Sequence, residues 1–78
     1  MVEHRYLEII EKLSDEEALE KQPQILRVEV KDEAEAKKVL PDYEPLFADK
    51  SYKAQYHIHY HSKEGKNLPC EIKVLKEV

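Results

Sequence analysis

The sequence predicts an α+β fold: a two-layer sandwich with helices on one face of a three-stranded antiparallel sheet. Three observations carry this. An alternating segment at 24–31 is followed by a capped helical segment at 33–40. Residues 51–62 and 67–78 also alternate, and they meet at the only glycine, Gly65. Each of these strands has a single apolar face, which one layer of helices can cover. The chain has 78 residues and 9.3 kDa, so residues 1–78 are read as one domain. Its folded surface should be roughly 5,000 Å², enough for one thin core and too little for a deep closed cleft.

The first stretch reads as a helix. Val2, Tyr6, Ile9, Ile10 and Leu13 recur with the 3.6-residue period, and Glu3, Arg5, Glu8, Glu11 and Lys12 lie between them. After Leu13 the period breaks. Ser14 and Glu17 form an S-x-x-E capping box that opens a second short helix near Asp15. One long helix bent at Ser14 is the alternative. Pro23 stops it, because Gln22 before a proline is pushed toward extended geometry.

In residues 24–31, Leu26, Val28 and Val30 alternate with Arg27, Glu29 and Lys31, the period of a half-buried strand. Asp32 then caps a helix, with Glu35 at the capping-box position. Ala36, Val39 and Leu40 form its inner stripe, and Pro41 ends it. Tyr43, Leu46 and Phe47 pin the following loop and close one end of the core.

The C-terminal third reads as a β-hairpin. Tyr52, Ala54, Tyr56, Ile58 and Tyr60 face one way; Lys53, Gln55, His57, His59 and His61 face the other. Leu68, Cys70, Ile72 and Val74 share the apolar face of the last strand. Matching the faces sets Tyr60 opposite Leu68, Ile58 opposite Cys70, Tyr56 opposite Ile72 and Glu71 opposite His57. Ser62 and Lys66 then close a three-residue loop that ends on Gly65, the position that needs a left-handed residue. A two-residue Glu64-Gly65 turn would set a polar face beside an apolar one. In this register Pro69 opposes His59 and its missing N–H points outward.

The resulting topology is a split β-α-β. The last strand lies between the parallel strands 24–31 and 51–62, giving the order 1-3-2 along the chain. The N-terminal helix packs on the same face as helix 33–40. The other sheet face is uncovered, and strand 51–62 has a free edge.

Composition excludes several functions. There are 13 Lys+Arg against 17 Asp+Glu, a net charge of −4, which argues against nucleic acid and anionic lipid. No apolar run is long enough to span a membrane. Met1-Val2-Glu3-His4-Arg5 lacks the apolar core of a signal peptide. One cysteine, Cys70, forms no intrachain disulfide, and a reducing cytoplasmic location is expected. The 38% charged residues and single glycine resemble thermophile proteins. One glycine also rules out a glycine-rich phosphate-binding loop.

The chemical signal is His57-x-His59-x-His61. Alternate strand residues share a face at roughly 6.6–7 Å spacing, and imidazoles so placed can converge on one ion. With Glu71 opposite His57, the candidate metal ligands are His57, His59, His61 and Glu71, and zinc is the candidate cofactor. A solvated strand face explains the same histidines. Cys70 is assigned to the core beside Ile58, where its thiol would be inert. Tyr52, Tyr56 and Tyr60 are assigned to the core as well. No catalytic grouping is assembled, so the expected function is a non-enzymatic interaction module. Its partner, a protein or a second copy of the chain, would bind the uncovered sheet face, with Ile25 and Leu75, or the edge strand. Metal binding, with metal-dependent hydrolysis, is the first alternative. Weak RNA binding through Arg27, Lys31, Lys53 and Lys73 is the second.

Overall fold

A computed structural model describes all 78 residues. The strands are β1 (Val2–Glu11), β2 (Ile25–Glu29), β3 (Tyr52–His61) and β4 (Glu71–Glu77). The helices are α1 (Asp15–Glu20) and α2 (Glu33–Tyr43), followed by a 3-10 turn at Glu44–Phe47. The sheet has four strands in the order β2-β1-β3-β4, and every neighbouring pair is antiparallel.

This corrects the expected fold. The first segment is an internal strand of the sheet and not a helix. A helix at 2–13 would have left Leu7 among its charged residues. As a strand, β1 sends Leu7 and Ile9 to one face, where both are fully buried. The adjacent apolar pair Ile9-Ile10 masks this alternation, because Ile10 belongs to the opposite face. The three-stranded sheet of order 1-3-2 therefore gives way to four strands. β2 and β3 both run antiparallel to β1, so they run parallel to each other with β1 between them. The inserted strand is the N-terminal one, not the C-terminal one. β3 is consequently internal, and the free edges belong to β2 and β4.

Local signals fix the helices. Ser14 Oγ accepts from the Glu17 N–H and the Glu17 carboxylate accepts from the Ser14 N–H, a complete capping box. Asp32 accepts from the Glu35 N–H at 2.8 Å. α2 runs past Leu40 and carries Pro41 in its last turn. It lays Ala36 and Leu40 on Leu7, Ile9, Tyr56 and Ile58, and fully buried Phe47 closes the end of this core. Tyr43 packs on the same cluster, whereas Leu46 is exposed. Tyr52 and Tyr56 are buried in the core, and Tyr60 packs against it.

The hairpin turn forms on Ser62 and Lys66. The Ser62 N–H donates to the Lys66 carbonyl at 2.8 Å, and Gly65 takes φ +87°. Leu68 donates to the Tyr60 carbonyl at 3.0 Å. Beyond this point the pairing moves by one residue, so that Ile58 faces Glu71 and His57 faces Ile72. Pro69 is the extra residue. It has no N–H to give the ladder, and a bulge is where a strand tolerates that loss. The expected pairing of Ile58 with Cys70 and of His57 with Glu71 is thereby overturned. Cys70, Ile72 and Val74 turn to the histidine face. Glu71 and Lys73 turn to the helix side, where Lys73 pairs with Glu33 at 2.9 Å. A second irregularity between Ala54 and Gln55 returns Leu75 to the core side.

The molecule is 15 Å through its thinnest axis, one sheet and one helical layer. Its surface is 5497 Å², and the second sheet face has no covering layer.

Candidate metal centre

The open face of β1 and β3 carries His4, Tyr6 and Glu8 beside Gln55, His57, His59 and His61, by strict alternation along two paired strands. Glu8 is only 3% exposed although it lies on this face. Its neighbours enclose it. Gln55 Nε2 donates to Glu8 Oε1 at 2.8 Å, Arg27 Nε donates to Oε2 at 2.7 Å, and Arg27 Nη2 makes an ion-pair contact with the same oxygen at 2.7 Å. Arg27 also lies over the Tyr6 ring, 4.9 Å from its centroid. Burial by itself would raise the Glu8 pKa. The hydrogen bonds from Gln55, His57 and Arg27 outweigh it and hold the carboxyl below its ordinary value.

His57 completes this network. Its Nδ1 lies 2.7 Å from Glu8 Oε1. An ionised carboxylate only accepts, so the neutral ring carries its proton on Nδ1 and a lone pair on Nε2. That Nε2 is the one buried side-chain polar atom without a hydrogen-bond partner. A histidine anchored at one nitrogen by a carboxylate, with the other nitrogen free, has the form of an oriented metal ligand.

The bulge at Pro69 brings a thiol to the same place. Cys70 is exposed, its Sγ 3.3 Å from His59 Nδ1. Donor atoms of His57, His59 and Cys70 lie within 4.8 Å of one another. Zn–S and Zn–N bonds of normal length separate sulfur and nitrogen by roughly 3.6 Å in a tetrahedral site, close to the 3.3 Å between Cys70 Sγ and His59 Nδ1. A pocket of about 260 Å³, lined by Tyr6, Arg27, His57 and His59, adjoins the group.

Among the expected ligands, His57 and His59 come together. His61 is not in their group; its Nε2 lies 3.1 Å from His4 Nε2. Glu71 is on the other side of the sheet. Sequence reasoning missed Cys70 and Glu8. Cys70 was hidden by the bulge, for which Pro69 was the available signal. Glu8 was hidden by the helical reading of β1. The RNA-binding patch loses Lys73 to the helix side, and Arg27 is held by Glu8.

No family model, curated protein or solved structure matches this chain. No helix is long and apolar enough to cross a membrane.

Proposed function

We propose that this protein binds a borderline-soft transition-metal ion, zinc foremost, through His57 Nε2, His59 and Cys70. The supporting observation is the unpartnered, carboxylate-anchored Nε2 of His57 beside a thiol and a second imidazole. One thiolate and two neutral imidazoles suit zinc. Three protein ligands leave a coordination position to solvent, on a face with room for a small ligand. Such a position lets a bound ion activate water, so metal-assisted hydrolysis is the enzymatic extension of this reading. Zinc titration followed by calorimetry tests it, using the wild type, His57→Ala and Cys70→Ser. Stoichiometric binding weakened in both variants is expected. Equal, weak binding in all three would overturn the proposal.

A second reading is protein interaction through the same face. Ile25, Ile72 and Val74 are 59%, 56% and 52% exposed there, at the β2 and β4 edges. A second copy or a protein partner could cover them. Sedimentation of the wild type and Ile72→Lys tests self-association: a concentration-dependent dimer lost in the variant is expected, and an unchanged monomer in both excludes the second copy.

A further inference from the structure

We infer that His4 and His61 form a second transition-metal site, separate from the His57, His59 and Cys70 group and independent of it. The two residues lie on neighbouring strands at the far end of the open face, and their Nε2 atoms are 3.1 Å apart. His61 Nδ1 is 3.0 Å from the Ser62 carbonyl. A carbonyl only accepts, so this nitrogen carries the proton and His61 Nε2 presents a lone pair. His4 Nε2 then donates to it in the metal-free protein. A divalent ion replaces that shared proton: His4 moves its proton to Nδ1, and both Nε2 lone pairs point at the ion. Two Zn–N bonds of normal length set their nitrogens roughly 3.3–3.4 Å apart in a tetrahedral site, so the nitrogens hardly separate while the two rings turn until their lone pairs converge on the ion rather than on each other. The Ser62 carbonyl plays for His61 the orienting part that Glu8 plays for His57.

With two protein ligands the ion keeps water or a small anion in its remaining positions. This site is therefore the weaker of the two and the more open to exchange. Its ring neighbour is His59, at centroid distances of 6.4 Å from His4 and 5.9 Å from His61. The four histidines thus form a continuous row of nitrogen donors along one face.

Zinc titration of the full chain by native mass spectrometry and calorimetry tests the inference. Two binding events are expected in the wild type. His4→Ala and His61→Ala should each remove the weaker event and leave the tighter one. Cys70→Ser should weaken the tighter event and leave the weaker one. Should His4→Ala disturb the β1 strand, His4→Gln keeps a polar side chain there and serves in its place, with amide NMR spectra reporting the fold. A wild type with no event that both His4→Ala and His61→Ala remove would overturn the second site, whatever happens at Cys70. Loss of the thiol-dependent event alone would bear on the first site only.

Discussion

His57 and Glu8 stand on adjacent strands, with the imidazole Nδ1 2.7 Å from a carboxylate oxygen that is almost wholly out of solvent. This contact fixes the ring's tautomer and orientation at once. It also explains why a carboxylate is buried on the open face of a small domain: Gln55 and Arg27 share its remaining acceptor sites.

Orientation of a ligand through its second nitrogen is worth about 10–100-fold in metal affinity. Glu8→Gln should therefore weaken zinc binding by about that factor while leaving all three ligands in place. Competition with a chelator of known affinity measures it. Unchanged affinity in Glu8→Gln would show that the carboxylate does not orient His57.

Glu8 should also shape the acid limb of stability. Its carboxyl is held below the ordinary value because three hydrogen bonds outweigh the cost of burial. A depressed carboxyl contributes stability that is complete above its unfolded value and lost as pH falls through its folded value. Glu11 adds in the same direction, through the Gln24 N–H against the opposing effect of burial, and then through Lys21. Wild type should thus lose stability on acidification through and below the carboxylate range more steeply than Glu8→Gln. Urea unfolding at stepped pH checks this; parallel curves would contradict it.

Leu7 is fully buried between the sheet and α2, whereas Ile10 is half-buried on the open face. Leu7→Ala should cost about 2–5 kcal/mol. Ile10→Ala should cost distinctly less. Denaturant unfolding measures both. The reverse order would fit the helical period of 2–13, in which Ile10 is inside and Leu7 is not.

Deleting Pro69 should be tolerated. As a bulge residue it opposes nothing, so its removal joins Leu68 directly to Cys70 and preserves His57 opposite Ile72. Cross-strand NMR contacts between these residues should persist, and so should zinc binding. If Pro69 instead occupied a regular ladder position, the deletion would turn Cys70, Ile72 and Val74 to the other face.

The local chemistry of several elements was legible in the sequence. Ser14 and Asp32 announced their helices through hydrogen bonds made within four residues. Gly65 announced the turn through its left-handed backbone. The helical period in β1 was misleading because Tyr6 and Ile10, which lie on the open face of the strand, fall on one helical face with Ile9, and only partners far along the chain decide between the two readings. Arg27, Gln55 and His57 are those partners for Glu8, and no local signal links them to it. The face of Cys70 depended on one unpaired residue, since a single-residue shift exchanges the two faces of a strand. His57 and His59 survived the correction because β3 keeps its alternation whichever neighbours pair with it.

In the proposed site Cys70, brought round by the Pro69 bulge, ligates an ion together with His57 and His59. Cobalt(II) titration under reducing conditions tests it most directly, because a thiolate ligand gives a near-ultraviolet charge-transfer band that imidazoles alone do not. The band should saturate at one equivalent, vanish in Cys70→Ser, and form only at higher cobalt in His57→Ala. Absence of a thiolate band at stoichiometric cobalt, or an identical titration in His57→Ala, would contradict the claim.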